Sequence, residues 1–487
     1  MIISLYSVRL VLASLGDVDY GIFNVIMGVV AMLSFLNGAL TVSTQRYLSY
    51  YQGKNDKNEI ISVFNHSLFL HALLGFIIVV LLEVGGGFIL DNYLQIPEER
   101  MDTARIIFHF ANLSVFFTFV SIPYTASINA NEQMIFIALI SILESFEKLF
   151  LAIYITYANC DRLLIYGMAM GGITILSFFM YLIICRIRYE ECRHVTFRNL
   201  NKSILKDIGN FASWNLVGSF TSISKNQGIA VLFNMFRGPA VNAAYAVANQ
   251  VSSQLLFFSV TMLRSINPQI MKSEGAGNRH RMLRLSFSAC KYSFLLMSFF
   301  SIPCMFEMDM ILGIWLMDVP EHTVLFCDFV LVAMMFDQLT VGINSAFQAC
   351  KFVKQSSIYV GAVKILILPI GFLLLKMQMS VYWVVLLYAL VELLAGGVRL
   401  YLAKHLMEVS IFDFYKDVVF RIFPPVICSI VVCLLIINVV GSPYRLIITI
   451  ASSALAFLIS CYVLSLDSDE KIFIKSLIVN IKMKCLG

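Results

Sequence analysis

The sequence predicts an all-α polytopic membrane protein with about 14 transmembrane helices. Of its 487 residues, 59% are hydrophobic and only 13% are charged, and the mean hydropathy is +0.83. Soluble domains carry about a quarter charged residues. Apolar runs of roughly 20 residues follow one another along the whole chain without the period-two alternation of barrel strands, and this length suits helices that cross a bilayer.

Polar connections divide the apolar runs and set the bounds of the predicted spans. The spans cover residues 1–14, 22–42, 62–83, 104–124, 134–158, 163–185, 208–236, 240–263, 283–304, 323–349, 356–375, 381–402, 422–440 and 445–465. Two pseudo-symmetric six-helix lobes, residues 1–200 and 201–405, are predicted, with a further two-helix segment and tail at 406–487. The first run is too short to cross a bilayer, so we expect the native chain to extend upstream of Met1.

Lysine and arginine residues concentrate in alternate connections. The connection 46–59, the linker 186–206 and the tail 471–484 are basic, whereas the connections 91–102 and 307–321 are acidic. An excess of basic residues marks the cytoplasmic side of a membrane protein. We therefore predict a multi-pass protein of the cytoplasmic membrane, with a cytoplasmic C-terminus and basic segments in contact with membrane lipids.

A sparse internal repeat relates the two predicted lobes. When Gly16 is placed on Gly238, the sequence GKND at 53–56 falls on GAGN at 275–278. Both copies show the same order of elements: a glycine turn, an apolar span and a basic loop that closes in a glycine-containing corner. Two parallel copies of six helices are typical of transporters.

The apolar stretch 211–237 carries Lys225 at its middle. Gly218, Thr221 and Gly228 share a helical face with this lysine, and none of them is an acid. A charge at the centre of a bilayer costs about 2.5–3.5 kcal/mol even on the insertion scale. Two interpretations are open: this face lines a cavity that receives an anion, or Lys225 pairs with a carboxylate of a neighbouring helix.

Further basic residues inside or at the ends of spans are candidate substrate ligands together with Lys225. They are Arg9, Arg46, Lys291 and Lys364. Several unpaired cations on different helices, with few buried acids, predict a cationic chamber. Asp337 is the nearest candidate counter-charge; it either pairs with Lys364 or binds a coupling cation, and pairing is favoured.

Other polar and helix-bending residues inside the spans suggest structural roles. Glu144 precedes Lys148 by four residues, the order that favours an ion pair within one helix, and we assign this pair a structural role. Pro123, Pro303 and Pro369 bend their helices because proline removes a helical hydrogen bond. Each proline is a candidate hinge for alternating access or a static kink.

The sequence carries no signature of catalysis or of cofactor binding. It has no Walker A loop, its 11 cysteines show no metal-ligand spacing, and no long extracellular loop is present to house a polymerase or acyltransferase site. We therefore expect a protein that is not an enzyme, binds no cofactor or metal, and has no nucleic-acid partner.

Several segments, spread over nearly the whole chain, carry a resemblance to a known family. They include YSVRLVLASLGDVDYGIFNV, QRYLSYYQGKND, PYTASINANEQM and ISILESFEKL in the first lobe and SWNLVGSFTSISKNQGIAVLFNMFR in the second. In order and spacing they resemble the bacterial oligosaccharide or O-antigen flippases of the multidrug/oligosaccharidyl-lipid/polysaccharide exporter superfamily. The resemblance implies a fold similar to that of multidrug and toxin extrusion transporters, with two lobes around a cavity lined by basic residues. Of the four candidate ligands Arg9, Lys225, Lys291 and Lys364, only Arg9 and Lys225 lie inside the matching segments.

The resemblance also implies a substrate, a polyprenyl-pyrophosphate-linked oligosaccharide that moves from the inner to the outer leaflet during polysaccharide biosynthesis. Ammonium and guanidinium groups are the usual ligands of such a concentrated anion. Other polysaccharide-assembly proteins are candidate partners. Two alternatives remain: a cation-coupled multidrug exporter on the same fold, which needs an acidic chamber, and a membrane-embedded glycan polymerase or ligase, which needs a large external loop.

Overall fold

The structure is a computed structural model that describes residues 2–32, 34–87, 96–196, 201–316, 319–441, 444–467 and 470–472. The described residues form helices and connections and contain no strand, as the apolar runs predict. The α-helices are α1 (Ile2–Met32), α2 (Ser34–Gly53), α3 (Lys57–Leu81), α4 (Glu98–Ala130), α5 (Met134–Tyr157), α6 (Arg162–Arg188), α7 (Lys202–Arg237), α8 (Pro239–Gly275), α9 (Arg279–Phe306), α10 (Met308–Trp315), α11 (Thr323–Leu339), α12 (Val341–Ala349), α13 (Val353–Ile365), α14 (Ile367–Lys376), α15 (Tyr382–Met407), α16 (Ile411–Phe414), α17 (Phe420–Val439) and α18 (Arg445–Ser460). Short π-helical turns follow α3, α16 and α18, at Leu82–Gly86, Tyr415–Val419 and Cys461–Ser465.

Nine helical segments of the described chain are long and apolar enough to cross a membrane. α1 is a bent pair, with an angle of 118° between Leu10–Gly16 and Val18–Gly28. α5 is not among these nine segments, because the three charged residues Glu144, Glu147 and Lys148 lie near its middle. The 14 predicted spans correspond to these nine segments and five further ones. The five are the first arm of α1, its second arm together with α2, and the helices α5, α7 and α8.

The chain divides into two compact units. The first unit is Met1–Ser219 with Met271–Gly277, and the second unit is Phe220–Ile270 with Asn278–Gly487. The division falls inside α7 and α8, and the final helices α17 and α18 belong to the second unit. The lobe boundaries at 200 and 405 remain predictions from the sequence pattern.

The backbone conformation at the turns follows the internal repeat. Gly16 and Gly238, which the repeat aligns, have φ angles of 75° and 85°. Positive φ is a conformation that glycine adopts without steric cost. Asn55 and Gly277 are also aligned by the repeat, and their φ angles are 56° and 74°. The same unusual conformation at matched positions supports the repeat that the sequence predicts.

Helix caps after the corners repeat as well. The Asp56 carboxylate accepts a hydrogen bond from the backbone N–H of Glu59 at 3.1 Å, and the Asn278 side chain accepts one from Arg281 at 3.0 Å. Such a cap satisfies a backbone donor that the first helical turn leaves free. α3 and α9 therefore start in the same way.

Two glycines bring the ends of α2 and α8 into direct backbone contact within the first unit. A Cβ atom on Gly53 would lie 2.0 Å from the carbonyl oxygen of Lys272, and one on Gly275 would lie 1.9 Å from that of Tyr50. The repeat aligns Gly53 with Gly275 and Tyr50 with Lys272, so the two contacts are reciprocal. Only a residue without a side chain fits at either position.

Aromatic packing fixes the helices of the second unit. Phe233 of α7 stacks on Phe326 of α11 with ring centroids 5.2 Å apart, and Tyr245 of α8 meets Phe233 edge-on at 5.4 Å. All three side chains are buried, and aromatic pairs of this geometry contribute about 0.5–1.5 kcal/mol each. α7 and α11 also carry charged residues, so this packing constrains how those charges can meet.

An ion pair attaches the final two helices to the rest of the second unit. Glu307, which follows α9, is 1% exposed. Arg445 of α18 donates to both of its carboxylate oxygens at 2.9–3.1 Å, and the Thr449 hydroxyl donates at 2.8 Å. Bidentate pairs of this kind are geometrically specific, and this one orients α18 against α9.

Candidate functional site

Five charged side chains form a buried cluster within the second unit. The cluster consists of Lys225 on α7, Asp337 on α11, Lys364 on α13, and Glu392 and Arg399 on α15. Asp337 is partly exposed, whereas the other four residues are less than one-tenth exposed. The cluster lies on four different helices of the chain, so it depends on tertiary packing.

Glu392 joins the two lysines of the cluster. The Lys225 ammonium donates to its Oε1 at 2.5 Å, and the Lys364 ammonium lies 2.8 Å from its Oε2. The Lys225 ammonium also lies 4.1 Å from the ring centroid of Tyr388, within cation–π range. Glu392 is 1% exposed, so these cations replace the water that its charge loses on burial.

Asp337 joins Lys364 to Arg399. The Lys364 ammonium donates to Oδ1 of Asp337 at 2.9 Å, and Nη1 of Arg399 lies 3.0 Å from the same oxygen. Nη1 also donates to the Thr340 hydroxyl at 3.0 Å. Ion pairs therefore link the five residues in a chain of alternating sign: Lys225, Glu392, Lys364, Asp337, Arg399.

The cluster carries a surplus of positive charge. Three cations and two carboxylates leave a formal charge of +1 when all five groups are ionised. Asp337, Lys364, Glu392 and Arg399 lie in helical segments that are long and apolar enough to cross a membrane. Charged groups inside a membrane are costly and usually mark a pathway or binding site.

Two helices are interrupted beside the cluster. α11 and α12 are separated by Thr340, one turn after Asp337, and the Asp337 carbonyl accepts a hydrogen bond from Arg399 at 3.4 Å. α13 and α14 are separated at the second residue after Lys364, just before Pro369, which has no N–H to continue the helix. Discontinuous helices of this kind provide polar backbone groups inside a membrane.

Small residues let α7 approach α13 and α14. A Cβ atom on Gly361 would lie 3.2 Å from the Thr221 hydroxyl, and one on Gly228 would lie 2.5 Å from the Leu368 side chain. The face of α7 that was expected to line a cavity therefore packs against these helices in this structure. This close packing places Lys225 in the interior of the unit, where it is 3% exposed.

The expectation of unpaired cations inside the spans is wrong for the three lysines. Lys225 and Lys364 share Glu392. Lys291, on α9, donates to both oxygens of Glu470 at 2.8 Å. Each ammonium is paired with a carboxylate, because burial of a charge without an opposite charge beside it is strongly destabilising. The pairing interpretation of Lys225 is the one that the structure shows.

α15 supplies two members of the cluster that the sequence analysis did not identify. Glu392 is the single acid of α15, and Arg399 follows it by two helical turns, so both lie on one face. A lone acid in an apolar run needs a cationic partner, so the sequence did contain a signal. The contact between Asp337 and Lys364 is the one that the sequence favoured.

Lys291 belongs to a second polar region of the same unit. It lines a cavity of about 460 Å³ together with acidic residues that include Asp413, Asp467 and Glu470. Burial raises the pKa of Glu470, but hydrogen bonds from Lys291 and Tyr292 outweigh this effect and hold the pKa below its usual value. In this structure, Lys291 holds the segment after α18 against α9.

The two predicted arginines lie in the first unit. Arg46 of α2 is 1% exposed, and its guanidinium carbon lies 4.6, 4.8 and 5.5 Å from the ring centroids of Tyr47, Tyr50 and Phe211. Cation–π contacts stabilise a desolvated guanidinium. The side chain of Arg9, on α1, lies outside the described part of the structure, and its role remains a prediction.

The predicted structural pair and the prolines have defined positions. Glu144 and Lys148 approach to 4.0 Å on α5. Pro123 and Pro303 lie inside the continuous helices α4 and α9, whereas Pro369 follows the break between α13 and α14. The use of any of these prolines as a hinge remains a prediction.

Solved transporter structures share this fold. A MATE protein in its straight conformation matches with a TM-score of 0.70 and 14% identity, over 85% of this chain and 93% of that chain. A MOP superfamily transporter from Pyrococcus furiosus, described as having a binding pocket of reversed polarity, matches with a TM-score of 0.69 and 14% identity, over 84% and 92%. An outward-facing multidrug resistance MATE family transporter matches with a TM-score of 0.67 and 15% identity, over 85% and 92%.

These comparisons show a MATE-like fold. The chain is therefore a multi-pass membrane protein with the architecture of transporters of the MOP superfamily. No protein family matches the sequence, and no curated protein matches it.

Proposed function

We propose that this chain transports a polyprenyl-pyrophosphate-linked oligosaccharide from the inner to the outer leaflet of the cytoplasmic membrane. The MATE-like fold supports the assignment as a transporter. The observation that carries the choice of an anionic substrate is the surplus positive charge of the buried cluster. The order and spacing of the flippase-like segments support the choice of a lipid-linked oligosaccharide.

A pyrophosphate group would bind by exchange with Glu392. The ammonium groups of Lys225 and Lys364 lie 2.5 and 2.8 Å from the two oxygens of the Glu392 carboxylate, and a phosphate group offers them an equivalent anionic partner. The ammonium groups are already buried and oriented, so the anion replaces one partner with another. Arg399 holds Asp337 during this exchange, and Asp337 keeps Lys364 in place. Because the pyrophosphate competes with Glu392 for the two lysines, it binds weakly enough to be released.

Opening of the cluster requires movement at the interrupted helices. The cluster residues other than Asp337 are less than one-tenth exposed in this structure. The breaks at Thr340 and after Lys364 remove continuous helical hydrogen bonding next to the charges, and such positions can absorb changes in backbone angle. We propose that these breaks serve alternating access.

The membrane potential favours the proposed direction of transport. A potential of 100 mV, negative inside, favours outward transfer of each negative charge by about 2.3 kcal/mol. The substrate headgroup carries negative charge, so a transporter that compensates this charge only in part leaves a driving force for outward movement.

The two carboxylates of the cluster favour a second candidate, a cation-coupled multidrug exporter. Glu392 and Asp337 lie inside the membrane-spanning helices, and either could bind a cation if its lysine moved away. In that case Lys225 and Lys364 would pair with these carboxylates only while no cation is bound. The two candidates differ in the sign of the transported molecule.

A transport assay with two probes separates the candidates. The full chain is reconstituted into proteoliposomes, and outward movement of a polyprenyl-pyrophosphate disaccharide is measured with an added glycosidase that cannot enter. Efflux of ethidium under a sodium or proton gradient is measured in parallel. We expect wild type and Lys57→Gln to move the glycolipid and Lys225→Gln to lose this activity. Lys57 is a matched control, because its pair with Glu190 lies on the surface. Ethidium efflux without glycolipid movement would establish the second candidate and refute the first.

A further inference from the structure

We propose that a polar cavity of the first unit binds the ethanolamine headgroup of a phospholipid, and that the buried carboxylate of Glu191 receives the primary ammonium of this headgroup. The cavity is formed by residues of the first unit alone. It shares no residue with the charged cluster of the second unit.

The cavity lies where several helices of the first unit begin or end. Its volume is about 330 Å³, which is at the lower end of the range of small-molecule sites. Its walls come from the end of α2, the start of α3, the connection after α4, the 3₁₀ helix Glu190–Cys192 and the last turn of α8. The lining residues are Gln52, Lys57, Ile60, Ile61, Asn131, Glu190, Glu191 and Lys272.

Glu191 is a buried carboxylate that has no cation beside it. It is 7% exposed, and its Oε1 atom accepts hydrogen bonds from the Ser127 hydroxyl at 2.7 Å and from the Asn131 amide at 3.1 Å. Both donors are neutral. In the described part of the chain, no basic residue forms an ion pair with Glu191, and no donor reaches its Oε2 atom. Because a buried carboxylate needs an opposite charge, an ammonium in the cavity would lower the free energy of this site.

The two lysines of the cavity are paired with other carboxylates. Lys57 donates to Glu190 at 3.0 Å, and this hydrogen bond holds the pKa of the Glu190 carboxyl below its usual value. Lys272 donates to Glu132 at 2.7 Å. Two lysines and three glutamates, with Glu191 as the third, leave a formal charge of −1. The uncompensated charge is that of Glu191, so the cavity has room for one positive group.

A second acceptor of the cavity also lacks a partner. The Asn131 amide nitrogen donates to the Ser127 carbonyl at 2.9 Å, which fixes the orientation of this amide and leaves its Oδ1 atom as an acceptor. The Gln52 amide nitrogen donates to that oxygen at 3.2 Å, so Oε1 of Gln52 is buried without a hydrogen bond. A primary ammonium has three N–H donors and can serve both acceptors, whereas a quaternary ammonium has none.

The position of the cavity favours a phospholipid headgroup as the source of the ammonium. Lys57 precedes the predicted span 62–83, and Glu191 follows the predicted span 163–185, each by about 7.5–9 Å at 1.5 Å per residue. The headgroup layer of a bilayer is about 5–7.5 Å thick, so the cavity lies close to this layer, on the side predicted to face the cytoplasm. The described residues contain no group of three side chains suited to hold a metal ion, so an ammonium fits the cavity better than a metal ion does.

Binding of dihexanoyl phosphatidylethanolamine tests this proposal. The purified full chain is titrated in detergent with this short-chain lipid, and the Kd is measured by calorimetry. We expect one lipid per chain and a Kd at least tenfold lower than that of dihexanoyl phosphatidylcholine, whose headgroup has the same net charge but no N–H donor. Equal Kd values for the two lipids would overturn the proposal. Soluble glycerophosphoethanolamine should bind at least tenfold more weakly than the lipid, and an equal Kd would overturn the choice of a lipid.

Two variants locate the binding site. Glu191→Gln keeps the size of the side chain and an acceptor for Ser127, and it should raise the Kd for the ethanolamine lipid at least tenfold. Ile60→Trp narrows the cavity without removing the carboxylate and should have a similar effect. Glu99→Gln is the control, because Glu99 is exposed in the first turn of α4, at the opposite end of that helix from Asn131; its Kd should equal that of wild type. An unchanged Kd in both cavity variants would overturn the proposal.

The inference does not rest on the proposed transport function. The probe carries neither a pyrophosphate nor a sugar, and the assay measures binding rather than transport. Loss of glycolipid transport would therefore leave this proposal intact, and lack of lipid binding at the cavity would leave the transport proposal intact.

Discussion

The ammonium of Lys225 donates to Oε1 of Glu392 at 2.5 Å, although the two residues are 167 positions apart in the chain. Both side chains are less than 5% exposed. Their helices, α7 and α15, have apolar sequences around these charges. Loss of one partner would leave the other charge buried without full compensation, which typically costs about 3–5 kcal/mol.

A double-mutant cycle tests this pair. We expect Glu392→Gln to lower the free energy of unfolding by about 3–5 kcal/mol, because Lys225 and Lys364 both lose their shared carboxylate. Lys225→Met should cost less, because Lys364 still pairs with Glu392. The double variant should be more stable than the sum of the single effects predicts. Thermal unfolding of the purified protein measures all four proteins, and additive effects would argue against a direct interaction.

Arg399 is expected to be irreplaceable by lysine. Its guanidinium bonds to the Asp337 carboxylate, the Asp337 carbonyl and the Thr340 hydroxyl, and an ammonium cannot reproduce this planar arrangement. Arg399→Lys should lower stability by about 1–3 kcal/mol and speed amide exchange around Thr340. Arg105→Lys, at a half-exposed arginine, is the control. Equal exchange in Arg399→Lys and wild type would show that the guanidinium does not hold the helix break.

The reciprocal glycines should not tolerate a methyl group. Gly53→Ala and Gly275→Ala place a Cβ atom within 2.0 Å of a carbonyl oxygen, so the backbone must shift. We expect both variants to lower the melting temperature, despite the higher helix propensity of alanine. Gly209→Ala, at a helical glycine with no neighbour within 4 Å, should leave it unchanged or raise it. Similar melting temperatures for all three variants would contradict the reciprocal contact.

The contact between Lys291 and Glu470 should depend on pH in the acid range. The folded-state pKa of Glu470 lies below the ordinary value of 4.5, so its ionised form stabilises the folded protein. This contribution is fully present above pH 4.5 and is lost as the pH falls through the folded-state pKa. The difference in melting temperature between wild type and Glu470→Gln should therefore be constant from pH 7 to 5 and shrink below 4.5. A difference that grows on acidification would contradict the pairing.

The sequence predicts the architecture because run length and backbone turns are local properties. Apolar runs set the spans, and Gly16 and Gly238 mark equivalent turns without reference to any distant residue. Pro369 likewise gives a local signal for the break before α14. The break at Thr340 has no proline near it, and Gly342, two residues later, is a weaker signal because glycine does not by itself end a helix.

The partners inside the cluster could not be derived from the sequence in the same way. Which helices touch depends on small residues such as Gly361 and Gly228, which admit Thr221 and Leu368. Their effect is visible only once the helices are packed. The sequence therefore identifies Lys225 as a buried cation that needs a partner, whereas its particular partner, Glu392, follows from tertiary structure.

Anion affinity of the Lys225 and Glu392 variants tests the central claim most directly. The purified chain is titrated with a short-chain isoprenyl pyrophosphate, and the Kd is measured by calorimetry. If the anion exchanges with Glu392, Lys225→Gln should weaken binding at least tenfold, the equivalent of about 1.4 kcal/mol, because it removes a donor. Glu392→Gln should tighten binding, because it removes the competing carboxylate and raises the cluster charge. Weaker binding in both variants, or no binding by wild type, would contradict the account and leave the cluster with a purely structural role.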